Sequence, residues 1–380
     1  MKEHDVMDKK SSINAKTGLF ARLAEKKRAY DALDTQDKLR VWGDFLLNNA
    51  IYIVLVILVI YVEIYTLTNA KFSTTFLSFE SIIDVLKKAA SGSFLALGVG
   101  GIIVLTGTDL SAGRIMGLSM LVSASLLQKP VSEYTSKMFP EMAAPPIVLV
   151  VLLVMVVGCI IGIFNGFFVA KFSLHPFIVT LATQLMLYGL ILIYMNLGNN
   201  GGAPIAGLTE AYKEVVKGTV TLFGVAIPYY VFYSIAATAI MWFIWNKTTF
   251  GKNMYAVGAN PEAANVSGVN VMKTIILVFA LAGILYGFSG FIEAARVGSN
   301  NASAGLNAEL DAIAACVIGG VSFTGGTGKI SGIITGVILL QIITVALQWF
   351  GVSTNLQYII KGAIILMAVA IDMRKYLAKK

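Results

Sequence analysis

From about residue 50 onward, long runs with no or almost no charged side chains alternate with short polar stretches. A helix that crosses a bilayer needs about 20 mostly apolar residues. The runs predict ten such segments: Ala50 to Thr68, interrupted only by Glu63; Ser91 to Thr108; Ser111 to Gln128; Pro146 to Ala170; Pro176 to Asn196; Pro228 to Trp245; Thr274 to Ala295; Gly305 to Phe323; Ile330 to Phe350; and Leu356 to Ile371. The second and third are short and glycine-rich, divided by the polar turn Gly107-Thr108-Asp109, and are expected to be kinked or broken. The eighth is short and polar at its start, where it carries Glu309 and Asp311. The fold class expected is all-α: a polytopic membrane protein of about ten transmembrane helices, some short or broken. Residues 1–48 form a separate polar segment, 49–373 the transmembrane domain with a polar loop at 246–273, and 374–380 a basic tail.

Composition agrees with this patterning. Of 380 residues 57% are hydrophobic and only 13% charged, against roughly a quarter charged in a soluble domain. The 36 glycines suit helices that approach closely in lipid. A net charge of +8 concentrated in loops and tails is what membrane orientation requires, so it is no nucleic-acid footprint. Cys159 and Cys316 fall in apolar segments and are expected as buried thiols. His4 and His175 are far apart in sequence, and no zinc-type spacing exists, so no metal or cofactor is expected.

Residues 1–48 hold ten Lys/Arg and eight Asp/Glu, with no apolar core ahead of a cleavage site. This segment is expected to stay cytoplasmic. Its apolar residues recur at near-helical intervals, which fits either amphipathic helices at the membrane surface or a charged tail. By the positive-inside rule Lys171, the loop with Lys247, Lys252 and Lys273, the turn with Lys329 and the tail Arg374-Lys375-Lys379-Lys380 share the cytoplasmic side. Ten spans satisfy all of these placements, with both termini inside. The turns at Thr106-Gly107 and Thr324-Gly325 echo one another, either as a trace of two related halves or as ordinary glycine-rich turns.

Asn246 to Lys273 is a polar island between two uncharged apolar segments, and it reads as a docking loop. Asn260 is placed to cap a short helix, Pro261 suits its first position, Glu262 favours the positive helix end, and Gly268 is placed to terminate it. By spacing alone a plain connector between helices is the better reading.

Catalytic chemistry is missing. The nearest approach to a phosphate-binding G-x-x-x-x-G-K-[ST] is Gly328-Lys329, but Phe323 stands where the first glycine belongs and Ile330 where the hydroxyl belongs. No Ser/His/Asp, Cys/His or paired-carboxylate set is placed for catalysis, so the chain is not expected to be an enzyme. Charges at membrane depth are costly and by default functional. Candidates are Asp109 with Arg114, Glu293 with Arg296, Glu309 with Asp311, and Lys361 in the last span. Glu293 and Arg296 are three apart on a helix and suit an ion pair. Asp109 suits either a cap on the third helix or substrate contact. Lys361 needs an acidic partner or a wet cavity, and Glu309 or Asp311 is available. Asp109, Glu309, Asp311 and Lys361 are the tentative substrate pathway.

The stretches GTDLSAGR (107–114), FPEMA (139–143), WNKTTFGKN with GANPEAANVSGVNV (245–271), ELDAIAACVIGGVSF (309–323) and QYIIKGAI (357–364) resemble the galactose/methyl-galactoside branch of the ribose-type bacterial ABC importer permeases. The resemblance runs from about Ile51 to Lys380. It implies an inner-membrane subunit that pairs with a second permease copy around a central pathway, in contact with membrane lipid. It further implies a separate cytoplasmic ABC ATPase docked from within and an extracytoplasmic sugar-binding protein. Asn260, Pro261, Glu262, Ala263, Ala264 and Gly268 would then form the ATPase contact. The first 48 residues and Gly198 to Phe223 depart from the family pattern. The rival reading is a secondary transporter driven by an ion gradient, because broken helices and intramembrane carboxylates also fit that class.

Overall fold

The computed structural model describes residues 50–69, 74–129, 137–222 and 224–377, with Asp34 and Lys38 as isolated positions. Contacts divide the chain into two units, Met1–Val54 and Leu55–Lys380. The amphipathic segment expected within residues 1–48 lies, apart from those two positions, outside the described residues, as do residues 378–380 of the basic tail.

The described chain is almost wholly helical. Its elements are α1 (Ala50–Thr68), α2 (Phe79–Val104), α3 (Ala112–Leu126), α4 (Ile147–Phe172), α5 (Pro176–Met195), α6 (Glu210–Lys217), a hairpin of β1 (Thr219–Leu222) and β2 (Val225–Pro228), α7 (Tyr229–Lys247), α8 (Thr249–Ala259), α9 (Pro261–Val266), α10 (Val271–Val297), α11 (Ala308–Ile318), α12 (Ile330–Trp349) and α13 (Thr354–Leu377). α4, α5, α10 and α12 are each long and apolar enough to cross a membrane. The protein is a polytopic membrane protein, with helices at the positions of all ten expected segments.

Boundaries moved where polar residues extend or interrupt a helix. α2 begins at Phe79, twelve residues ahead of the expected Ser91, because Ser78 caps it and Glu80, Asp84, Lys87 and Lys88 continue the helix beyond its apolar part. α3 has 15 residues and α11 only 11. At 1.5 Å per residue α11 spans about 16 Å, half of a hydrocarbon core of about 30 Å. Left-handed Asn307, at φ 62°, precedes it, and Gly319 and Gly320, the latter at φ 82°, end it. The antiparallel hairpin pairs Thr219 with Pro228 through Leu222 with Val225. It falls largely within the Leu197–Ile227 connection, where no strand was expected.

α10 forms the centre, buried against α4, α3 and α2, while α2 in turn carries α12, α11 and α7. A membrane offers no hydrophobic force to press one apolar helix on another, so close approach of backbones has to supply the attraction. Gly158, Gly162 and Gly166 form a stripe on α4, and each faces α10 backbone: a Cβ at Gly158 would strike the carbonyl of Gly283, and one at Gly162 the carbonyl of Phe279. From the α10 side, a Cβ at Gly283 would meet the Gly158 carbonyl and one at Gly287 the Val154 carbonyl. The outer faces of α4 and α5 expose Val148, Leu152, Leu185 and Ile193, the surface that lipid requires. A smaller cluster seals α1 to α12, where Val62, Phe76, Val85, Val345 and Ala346 are buried together.

Gly283→Leu forces apart backbones already in contact, and overpacking of this kind costs about 1–3 kcal/mol or more. Gly189→Leu is the matched control, since nothing lies within 4 Å of a Cβ there. Thermal unfolding of the purified protein in detergent is expected to shift downward for the first only. Equal shifts would rule out the glycine contact as the source of the effect.

Candidate functional site

The polar loop folds as two helices joined by a single residue. Thr248 caps α8, its hydroxyl accepting from Gly251 N at 3.2 Å. Asn260 ends α8 and, in extended geometry, caps α9, its Oδ1 accepting from Ala263 N at 2.9 Å. Pro261 occupies the first position of α9, where a missing N–H costs nothing, and Glu262 lies in the first turn, beside the positive helix end. After Ser267 the chain reverses at Gly268, φ 84°, and Asn270 then caps α10 by accepting from Lys273 N at 2.8 Å.

This geometry presents α9 outward. Pro261, Glu262, Ala263 and Asn265 are exposed, and Val266 is 90% exposed, an apolar side chain held in the open. Ala264 turns inward, 4% exposed, and anchors the helix on the protein. A shallow depression beside α9 is walled by Ala170, Glu262, Asn265 and Met272.

Behind α9, α8 grips the membrane helices. Trp245 is buried and meets Tyr255 edge-on, with ring centroids 5.9 Å apart, and the Tyr255 hydroxyl donates to the Gly328 carbonyl at 2.8 Å. A Cβ on Gly258 would collide with the Val104 carbonyl, and that carbonyl accepts from Gly326 N at 2.9 Å. Gly325 in turn lies against Thr106. The two echoing turns thus meet each other directly beneath the polar loop. Sequence reading noticed their likeness but had no means to place them together.

The charged candidates separate into different roles. Asp109 is 1% exposed and its Oδ1 accepts from Ser111 N at 2.9 Å and Ser111 Oγ at 2.6 Å. Asn165 Nδ2 donates to Ser111 Oγ at 2.9 Å, and Thr183 Oγ1 donates to Asn165 Oδ1 at 2.6 Å. This chain of bonds ties the start of α3 to α4 and α5. Asn165, a lone amide in an otherwise apolar run, was the sequence signal for that network and was passed over. Arg114 does not pair with Asp109; it donates to the carbonyl of Ala302 at 3.1 Å and lies over the Tyr188 ring at 4.6 Å.

Glu309 is 3% exposed and packed over Gly113, while Asp311, two residues on, takes both bonds from Lys361, at 3.1 and 2.8 Å. The acidic partner that Lys361 requires is therefore Asp311, a pairing that joins α11 to α13. Glu293 and Arg296 form the expected pair, with three contacts of 2.7–3.0 Å. At the far end of the bundle Glu210 is fully exposed, and hydrogen bonds from Lys129 at 2.6 Å and Lys213 at 3.2 Å hold its carboxyl below the usual carboxylate range. Among the described residues no group of His, Cys, Asp or Glu is arranged to hold a metal ion.

Residues 81–369 match the family described as branched-chain amino acid transport system / permease component. The chain belongs to this permease family. The permease is 44% identical over 336 residues to the galactose/methyl galactoside import permease protein of Escherichia coli, covering 88% of this chain and 97% of that one. The corresponding protein of Haemophilus influenzae is 43% identical over 337 residues, covering 89% and 97%. The ribose import permease protein of Bacillus subtilis is 34% identical over 301 residues, covering 79% and 87%. No solved structure matches. The permease is a transporter subunit.

Because Lys361 is mostly covered, with 15% of its side chain exposed, removing Asp311 strands an ammonium within the bundle. Asp311→Asn is expected to lower stability by about 1–2 kcal/mol, discounted for the partial exposure of the carboxylate. The double variant Asp311→Asn/Lys361→Met is expected to recover most of that loss. Thermal unfolding of the parent, Asp311→Asn, Lys361→Met and the double variant measures it, and a double loss equal to or greater than the sum of the two single losses refutes the pairing.

Proposed function

We propose that this permease is the membrane-spanning subunit of a binding-protein-dependent ABC importer that carries a neutral sugar, galactose or methyl galactoside, into the cytoplasm. The observation that carries the reading is α9: a capped, outward-facing helix with an exposed apolar side chain, rooted by α8 on the ends of α2 and the α11–α12 turn. A helix so presented suits a cleft in a separate cytoplasmic ATPase, which supplies the hydrolysis this chain has no cradle to perform. Pro261, Glu262, Ala263 and Gly268 shape the contact, Asn260 caps it and Ala264 seats it.

Further features support the arrangement. Lys252 and Lys329 lie at the α9 end of the bundle, while α6 with Lys213 lies at the other, where the Tyr212 hydroxyl donates to the Phe291 carbonyl near the end of α10. With α9 inside, the basic residues fall on the cytoplasmic face of an inner membrane and both termini are inside. The face bearing α6 and the β-hairpin then receives an extracytoplasmic sugar-binding protein. Two copies enclosing the path are the expected assembly. For substrate, the relatives named for galactose and methyl galactoside at 43–46% identity outweigh the amino-acid wording of the family description.

Reconstitution of the permease with its ATPase and binding protein tests this. Uptake and ATP hydrolysis are expected to rise with galactose and methyl galactoside, to stay low with ribose, and to survive collapse of proton and sodium gradients. Uptake that follows an ion gradient, or that carries branched-chain amino acids instead, overturns it. Gly268→Val tests the docking helix. Left-handed backbone costs a side-chain-bearing residue about 1–2 kcal/mol, and a β-branched one more, although the space around Gly268 is open. Normal membrane levels, lost co-purification of the ATPase and no uptake are expected; a variant that still holds its ATPase and transports defeats the assignment.

A further inference from the structure

A cavity of about 180 Å³ lies among α2, α3, α10, α11 and α12. Its polar wall comes from Ser91, Ser289, Glu293, Arg296, Asp311 and Gln341. Ser91 is about 20 Å along α2 from Val104, and Gln341 about 16 Å along α12 from Ile330, so the cavity sits near the middle of a core of about 30 Å. α11, the helix that stops half way, brings its first turn to this depth. Glu293 and Arg296 extend the wall toward the end of α10 remote from the docking helix, the side from which an importer's solute arrives.

We propose that this cavity is a transient binding station for a single neutral monosaccharide, an inference that rests on the reading of the chain as a sugar permease. Size comes first: the volume corresponds to about six molecules of liquid water, well below the 300–1,000 Å³ of pockets built for larger ligands. It suits one sugar ring.

Charge comes second. Every ionic group on the wall is already answered within the protein, Glu293 by Arg296 and Asp311 by Lys361. A zwitterion or anion would find no free counter-charge, whereas hydroxyl groups can bond to carboxylate and amide edges that remain open. Hydrogen-bonding capacity is third. The Gln341 carboxamide offers two donors and one acceptor, and it has no hydrogen-bond partner among the described residues. An unpartnered amide in the middle of an apolar helix is expensive unless water or a ligand meets it. Ser91 and Ser289 donate to the Lys88 carbonyl at 3.1 Å and to Met116 Sδ at 3.3 Å, which leaves their oxygens free to accept.

No aromatic ring lines the wall, so the sugar has no stacking platform. That absence fits a site on a path, where binding must permit both arrival and departure. Gly92 opens the wall next to Gln341: a Cβ there stands 3.7 Å from Val337 and 3.9 Å from Gln341 Nε2, so alanine fits and a longer side chain projects beside the amide.

The test uses the complete importer in proteoliposomes, with labelled galactose uptake and receptor-stimulated ATP hydrolysis measured side by side. Gln341→Leu keeps the side chain's bulk and removes its amide. Loss of hydrogen bonding to the passing sugar is expected to lower uptake about tenfold while hydrolysis stays within about twofold of the parent. Gln341→Asn is expected to recover part of the uptake. Gly92→Ala is expected to transport normally and Gly92→Leu to block.

Unchanged uptake in Gln341→Leu overturns the proposal. So does hydrolysis that falls in step with uptake, because a merely structural role moves both. An importer whose unaltered form carries an amino acid and no sugar refutes the functional reading instead. In that case normal uptake of the amino acid by Gln341→Leu removes the cavity from the path as well.

Discussion

The contact between α4 and α10 is the constraint on which the rest of the structure depends. Three glycines on one helix and two on the other let carbonyl oxygens occupy the space that Cβ atoms would fill. In water such a stripe would be a weak interface, since glycine contributes no apolar side chain to bury. Between helices in lipid the situation reverses, because apolar side chains gain nothing by leaving lipid for protein and only closer packing distinguishes one partner from another. α10 is pinned there, and two thirds of its most apolar stretch is buried. It becomes the axis about which α2, α3 and α4 are arranged.

That axis also connects α9 to the central cavity. Its first residue follows Gly268 and the Asn270 cap, and its last turns carry Glu293 and Arg296 into the central cavity. A shift of α9 therefore has two rigid routes inward. One is α10 itself. The other passes from Gly258 through the Val104 carbonyl and Gly326 to α2 and the α11–α12 turn, contacts with no side chain between them to absorb a movement. Both routes reach residues that line the same cavity, Glu293 on α10 by the first and Ser91 on α2 and Asp311 on α11 by the second.

Charge inside the bundle follows a consistent rule. Asp109 is held by Ser111 and the amide network of Asn165 and Thr183, Glu293 by Arg296, and Lys361 by Asp311. The Asp109 carboxylate satisfies the Ser111 N–H at the start of the short helix α3, and the Asp311–Lys361 pair ties the short helix α11 to α13.

Hydrophobic run length and the near absence of charge determined the class of this protein and the position of its helices, and they set the polar loop at 246–273 apart from its surroundings. Those properties are local: Asn260, Pro261 and Gly268 form a capped, sharply ended helix because of their own backbone preferences, wherever the loop is placed. The Glu293–Arg296 pair was legible for the same reason, being three residues apart on one helix. Tertiary structure decided what depends on residues far apart in the chain. It chose Asp311 over Glu309 as the partner of Lys361, turned Ala264 inward, and brought Thr106 against Gly325. It also shortened α11, since where a helix stops is set by the neighbours that satisfy its ends and by glycines whose φ the fold fixes. Gln341 and Asn165 show the limit most plainly. Each reads in sequence as a single polar letter in an apolar run, and only the packing of five helices around one, and three around the other, distinguishes an open amide from a structural bond.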